Sequence, residues 1–327
     1  MTLKDIARRI GVSHATVSLA LKDDPRISEK RRKEVQRIAK RLGYRPDPML
    51  SSLIAYRIRN RALPVQSALA WLNHWENPKE LRRHIEFDNY WKGASETAER
   101  LGYRLDEFVW EEGMTGRRLE TIFRTRSIRG ILVPPHPLNP DWGNFRWDRF
   151  AVIRFGQAVR LPDCSVVTSD QLSATVLALE KIRDRGYRRI GLAVAEDFDF
   201  YMRGSYTNGY SLGQRLLGLE YRLPALLLPT QEAAGTVEPL RRWLAEHRPE
   251  AILTPSPGVI EALKILGLRI PEDIAVAGTS VVDLPVDAGT DQNSREIGRV
   301  AVESLVAIIN GHSGSQPAPL RRILVQA

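Results

Sequence analysis

The stretch TLKDIARRIGVSHATVSLALK, residues 2–22, decides how the chain begins to fold. Thr2 can cap a first helix, with Asp5 three residues on completing a capping-box variant. Leu3, Ile6, Ala7 and Ile10 then recur at the i, i+3, i+4, i+7 spacing of one apolar stripe, and Gly11 stops the helix. Ser13 is a second N-cap; the short helix it starts turns Val17, Ala20 and Leu21 inward, and only Gly11 and Val12 separate the two. A third helix begins near the Ser28 cap, buries Val35, Ile38, Ala39 and Leu42, and ends at Gly43. With the inner faces assigned, the second helix points His14, Ala15, Ser18, Leu19 and Lys22 outward. Its amide-rich first turn, Ser13 to Thr16, is left open to a phosphate, which is the anatomy of a recognition helix.

Charge points the same way. Of the formal +9 carried by 327 residues, the first 61 hold 16 basic and 6 acidic residues, a local excess of +10, and the remainder is nearly neutral. A basic face alone fits nucleic acid, a membrane surface or plain solvent; carried by a recognition helix, it favours nucleic acid. The 43% hydrophobic and 27% charged fractions are those of a globular chain. No apolar run approaches the roughly 18 residues that would span a bilayer. A polar helix pattern at the N-terminus and the single cysteine, Cys164, fit a soluble cytoplasmic protein with no disulfide, and Cys164 reads as a buried, inert thiol. There is no Gly-rich loop with Lys-Ser/Thr, no His-Glu-x-x-His and no nucleophile elbow, and the six histidines are scattered. The expectation is no enzyme, no cofactor and no metal.

After Pro46, Asp47 is an N-cap candidate and Pro48 a favourable first-turn residue, so a further helix is expected from Met49 to about Arg59. From Ser67 onward, short apolar runs (Ser67–Leu72, Gly130–Val133, Ile190–Ala195) alternate with helical patterns closed by glycine: Tyr90–Leu101 before Gly102, Leu172–Arg185 before Gly186, Val259–Leu266 before Gly267. Such alternation is the signature of parallel sheet. Ala98–Tyr103 and Ile182–Tyr187 occupy comparable helix ends, which implies two similarly wound lobes and a ligand cleft between them.

Thr2–Ala7, Gly11-Val12-Ser13, Ala15–Ser18 and Gly43-Tyr44-Arg45-Pro46 resemble the headpiece of the lactose-repressor (LacI/GalR) family. The likeness continues in Trp91-Lys92-Gly93, Arg129–Val133, Asp170, Gly186–Ile190, Gly209-Tyr210, Gly267–Gly278 and Glu296-Ile297-Gly298, which resemble that family's effector domain. It implies an α/β protein in which an all-α helix-turn-helix headpiece precedes a two-lobed core, similar to periplasmic binding proteins, with parallel sheets. The expected domains are a headpiece at 1–46, a hinge helix and linker at 47–65, and a core at 66–327. Lobe 1 would comprise about 66–164 and 293–319, and lobe 2 about 165–292 and 320–327, with crossings near Ser165, Gln292 and Leu320.

The resemblance further implies a homodimer on double-stranded operator DNA. Ser13, Thr16, Ser18 and Tyr44 would meet the backbone, while His14, Ala15 and Leu19 face base edges; Thr2 and Lys22 complete the headpiece surface. Leu53 would wedge into the minor groove, or else join Leu50 and Ile54 in a dimer-packing stripe. The chain has Leu19 where the family usually has arginine, and Leu50-Ser51 where it has Ala-Arg, so the base-reading parts depart from the pattern. By family position the cleft candidates are Asn73, His74, Trp75, Asp170, Arg203, Tyr206, Ser280, Gln292 and Asn293. Against these, His74 reads first as a loop histidine, Trp75 as core or as a stacking platform, and Asp170 as a helix cap. Arg203 stands three positions before the family's effector arginine, whose position is Tyr206, and Ser280 replaces an aspartate. The implied function is a regulator, more simply a repressor, whose small effector is carbohydrate-like. An architectural DNA protein of low specificity and a regulator with a non-sugar effector stay open. The chain ends soon after a last strand at Arg321–Val325, with no apolar heptad tail, which favours a dimer.

Overall fold

The computed structural model describes residues 3–21, 27–42, 67–137, 139–157, 160–311 and 320–327. The N-terminal unit is α1 (Leu3–Ile10), α2 (His14–Leu21) and α3 (Glu29–Arg41). Ile6, Ala7, Val17, Ala20, Val35 and Ala39 form its core, with Ile10, Val12, Leu21, Ile27 and Leu42 packed against them. The turn works as its residues dictate: Gly11 takes φ +71°, and the amides of Gly11 and Val12 both donate to the Ala7 carbonyl, at 2.9 and 3.1 Å. Thr2, Lys22, the Gly43 stop, Tyr44 and the expected hinge helix with Leu53 lie outside the described residues.

Lobe 1 contains β1 (Ser67–Asn73), α4 (Ile85–Arg100), β2 (Tyr103–Val109), α5 (Gly116–Thr125), β3 (Gly130–Val133), β4 (Ala151–Phe155) and β5 (Ser165–Ser169). Lobe 2 follows with α6 (Gln171–Asp184), β6 (Ile190–Ala195), α7 (Glu196–Tyr201), α8 (Ser205–Leu216), β7 (Leu226–Leu228), α9 (Ala233–His247), β8 (Ala251–Thr254), α10 (Pro257–Ile265) and β9 (Ala275–Gly278). The chain then returns to lobe 1 as α11 (Ser294–Gly311) and β10 (Arg322–Val325). Strand order is β10-β5-β4-β3-β1-β2 in the first sheet and β7-β6-β8-β9 in the second, with every named pairing parallel. Helices cover both faces of each sheet, which is why the strands read as continuous apolar runs. In lobe 1, Trp71, Ile153, Phe155 and Leu305 pack on one face, and Phe123, Trp142 and Phe145 on the other.

The lobe boundaries expected near Ser165 and Leu320 are corrected here. β5 and β10 belong to the first sheet: Ile153 pairs with Ser165, and Val166 with Arg322. A parallel strand left at the edge exposes a row of amides and carbonyls, and β10 covers that row on β5. The chain therefore crosses at Ser169–Gln171 and returns through Asp291–Ser294, with no third crossing among the described residues. The two helix ends singled out in the sequence are equivalent: Gly102 at φ +81° and Gly186 at φ +101° follow α4 and α6.

α4 and α11 meet backbone to backbone. A Cβ on Gly93 would lie 2.0 Å from the Arg295 carbonyl oxygen, and one on Gly298 2.1 Å from that of Tyr90. Neither neighbour is a flexible side-chain tip, so a methyl group must push the helices apart. Gly298→Ala is expected to lower stability by about 1–3 kcal/mol; urea unfolding followed by circular dichroism checks it, and an unchanged midpoint would contradict the close contact.

Candidate DNA interface and interlobe cleft

The N-terminus of α2 is built by Ser13. Its exposed Oγ accepts from the Thr16 amide at 3.0 Å and lies 2.8 Å from Thr16 Oγ1. This satisfies one of the amides that a helix start leaves over; those of residues 14 and 15 have no intrahelical acceptor. Leu19 is half-buried, and the side chains of His14, Ala15 and Ser18 lie outside the described ones. Exposed cations flank this helix: Arg8 and Arg9 end α1, and Lys30, Arg31, Lys33, Arg37 and Arg41 stud α3. Two of them are tied within α3, Lys33 to Glu29 at 2.6 Å and Arg31 to Glu34 at 2.9 Å. Pairs this exposed contribute little to stability and exchange readily for other partners.

The cleft candidates separate into committed and available groups. Asn73 donates to the Pro78 carbonyl at 3.0 Å and to Glu107 Oε1 at 2.9 Å, and accepts from the Trp75 amide at 3.0 Å, so its amide is used in holding the 73–78 loop to β2. His74 stacks on Trp110 at 5.3 Å and contacts the Asp141 carbonyl, which is the loop-histidine alternative. Its own amide donates to His136 Nε2 at 3.0 Å. His136 must then carry its proton on Nδ1, which donates to the Pro134 carbonyl at 2.7 Å, and burial pushes its pKa down to about 4. Trp75 donates to the Pro135 carbonyl at 2.8 Å and packs against His84 and Phe87. Asp170 caps α6, accepting from the Ser173 amide at 3.1 Å and its hydroxyl at 2.7 Å. Gln292 exchanges hydrogen bonds with Gln171 and donates to the Thr279 carbonyl at 2.7 Å, tying the two connections between the lobes together. Asn293, at φ +52°, donates to the Gln326 carbonyl at 2.8 Å.

Tyr206, Ser280 and Arg203 remain, and they meet residues that the sequence reading did not single out. Asp283 Oδ1, from lobe 2, accepts from the amides of Ile85 and Glu86 at 3.0 and 3.3 Å and so caps α4 across the cleft. Glu86 is 9% exposed; burial pushes its pKa up to about 7, Ser280 beside it opposes the rise, and Asp283 and Asp291 add to it. Ser280 Oγ and Glu86 Oε1 are both buried without completing a hydrogen bond of normal geometry. Tyr206 is buried next to them and stacks on Phe198 at 5.8 Å. The periodicity of α4 could have exposed Glu86, since it stands four residues before the buried Tyr90 on the same face.

Arg203 lines a cavity of about 860 Å³ together with Gln157, Arg160, Asp199, Tyr201 and Thr207. Nearby, Arg154 on β4 is 6% exposed, and neither its Nε nor its Nη1 has a partner. Burial lowers its pKa and the Arg203 and Arg322 charges add to that, against Cys164 and Asp163. The Cys164 thiol, half-buried, is itself pushed up to about 12 by burial, so it is neutral at physiological pH and supplies no counter-charge. An arginine within the apolar run Ala151–Phe155 was the sequence signal for this site.

Residues 2–47 match the family model described as "Bacterial regulatory proteins, lacI family", and residues 179–326 match "Periplasmic binding protein-like domain". The chain thus carries a LacI-type helix-turn-helix domain followed by a periplasmic-binding-protein-like domain. The ribose operon repressor of Escherichia coli (strain K12) is 25% identical over 93% of this chain and 92% of its own length. The HTH-type transcriptional regulator CelR of Thermobifida fusca is 22% identical over 99% of this chain and 95% of its own. Among solved structures, the transcriptional regulator CelR–cellobiose complex aligns with a TM-score of 0.59 and 21% identity, covering 100% of this chain and 97% of that one. The lac repressor dimer bound to operator and an anti-inducer gives 0.53 and 17%, covering 100% and 96%. The chain thus shares the headpiece-plus-two-lobe fold of these structures. No helix among its described residues is long and apolar enough to cross a membrane.

Glu86 gives the protein a pH signature. With the carboxyl near 4.5 when unfolded and near 7 when folded, the native state binds the extra proton between those values. The contribution of Glu86 to stability is therefore fullest below pH 4.5, falls as pH rises through that window, and is lost above about 7. Glu86→Gln removes the titration, so its stability relative to the parent is expected to be greater at pH 8 than at pH 5 by on the order of 2 kcal/mol. Parallel urea titrations at the two pH values measure it; an offset that does not change with pH would reject the assignment.

Proposed function

We propose that this chain is a cytoplasmic transcriptional repressor of the LacI family that binds operator DNA as a homodimer, through a headpiece at 1–46 and a hinge at 47–65. A small carbohydrate-like effector in the cleft of the 66–327 core sets its affinity. The observation that carries the DNA-binding part is α2 itself: a Ser13-capped helix held by a small apolar core within a segment carrying +10. Its relatives are transcription regulators rather than enzymes, and the ribose operon repressor and the CelR–cellobiose complex lend support to a sugar effector. In this reading Ser13, Thr16, Ser18 and Tyr44 hold phosphates, His14, Ala15 and Leu19 face bases, and Leu53 enters the minor groove. Leu19 offers only apolar contact, for example to a thymine methyl. Of the cleft candidates, Arg203 lines the cavity, Ser280 has an unpartnered hydroxyl, and Tyr206, bonded to Thr279, lies beside Glu86; these three are carried forward as effector contacts.

Two measurements test it. Operator affinity is expected to fall by about a thousandfold or more between roughly 50 and 200 mM salt, through counterion release from several phosphate contacts; a flat response in a fluorescence-anisotropy titration would overturn the headpiece assignment. Leu53→Ala is expected to weaken operator binding by more than it weakens binding to random duplex, and equal losses on the two duplexes would reject the wedge.

A further inference from the structure

Four arginines gather at the cavity described above without a salt bridge among the described residues, Asp163 acting on Arg154 through its charge alone. Arg160 and Arg203 line it, Arg322 Nη2 donates to the lining residue Gln157 at 2.5 Å, and Arg154 lies within electrostatic reach of Arg203 and Arg322. None of the four is ion-paired with a described carboxylate, whereas Arg104, Arg146, Arg269 and Arg299 elsewhere each hold one. Two acids line the same cavity. Asp199 is already engaged, accepting from the Tyr206 amide at 3.1 Å, the Thr207 amide at 3.3 Å and the Thr207 hydroxyl at 2.6 Å. Glu196 is exposed to solvent on the first turn of α7.

A buried guanidinium with two unpartnered nitrogens is costly unless something supplies the missing acceptors. Arg154, 6% exposed, is in that position, at the end of a strand where lobe 1 faces lobe 2. A neutral sugar offers hydroxyls, which leave the charge uncompensated. A carboxylate or phosphate supplies paired acceptors in the geometry of a guanidinium fork. The arginines also stand on both lobes, Arg154, Arg160 and Arg322 on one and Arg203 on the other. Their mutual repulsion opposes approach of the lobes, and an anion placed between them turns the same charges into an attraction. Ligand binding and closure are then coupled through differential affinity for the two arrangements.

We infer that the effector of this regulator is an anionic sugar, a sugar acid or a sugar phosphate, whose charged group sits between Arg154 and Arg203. This rests on the effector reading given above and names its chemical class. The cavity of about 860 Å³ is of a size that takes a mono- or disaccharide.

The test is calorimetric titration of the full-length protein with neutral hexoses and pentoses, their uronic and aldonic acids, their phosphate esters, and inorganic phosphate. At least one charged sugar is expected to bind ten times or more tighter than its neutral parent; whether acid or ester wins identifies the source of the charge. Arg154→Gln and Arg203→Gln should each cancel most of that advantage. Should Arg154→Gln fail to fold, as its melting curve would reveal, Arg203→Gln, on a half-exposed loop, decides alone. Neutral parents binding as tightly as their charged forms would overturn the inference and leave the sugar reading standing. No binding across the panel would overturn both, with operator binding still measurable on its own.

Discussion

The backbone contact between helices 85–100 and 294–311 is the constraint on which the two-lobed core depends. Glycine at 93 and 298 lets the returning chain settle directly on lobe 1. From there the last strand reaches the open edge of strand 165–169 and completes the first sheet. Helix 85–100 is thereby fixed along its length by lobe 1, while its first amides are satisfied by Asp283 of lobe 2. One helix thus answers to both halves of the core. Its N-terminal turn, which carries Glu86, is where a change in one lobe is felt by the other.

Much of this was legible in the sequence, and the division follows the range of the forces involved. The headpiece is local: apolar spacing, the Ser13 cap and Gly11 suffice to specify α1 and α2, and the strands 130–133 and 190–195 fall where their apolar runs do. The comparable helix ends at 98–103 and 182–187 already pointed to two lobes, and the family resemblance added the crossings between them. What escaped depends on contacts distant in sequence. The lobe boundary near Ser165 moved because edge pairing with residues 322–325 cannot be seen in either segment alone. Helix 85–100 begins five residues before the pattern that starts at Tyr90, because its cap comes from position 283.

The cleft shows the same division in its polar groups. Family position marked Asn73 and Gln292, and both are consumed by hydrogen bonds that hold loops and crossings. The residues left with unmet polar atoms, Glu86, Ser280 and Arg154, include two that break the rule for their element: an acid on the buried face of a helix and an arginine in an apolar strand. Such exceptions are where a fold departs from its own stability logic, and function is the usual reason. The cleft is also electrically divided, with Glu86, Asp283 and Asp291 in one group and Arg154, Arg203 and Arg322 in another.

The cap that Asp283 supplies exists only while the lobes adjoin. Its free energy therefore belongs to the balance between open and closed forms, and not to the folding of either lobe. A helix cap is worth about 1 kcal/mol, which at about 1.4 kcal/mol per factor of ten multiplies the closed population roughly fivefold. An incoming ligand meets a core already weighted towards closure, and its own preference for that form has to supply only the rest. The preference of the core for adjoined lobes is thus set in part by a residue that need never touch a ligand.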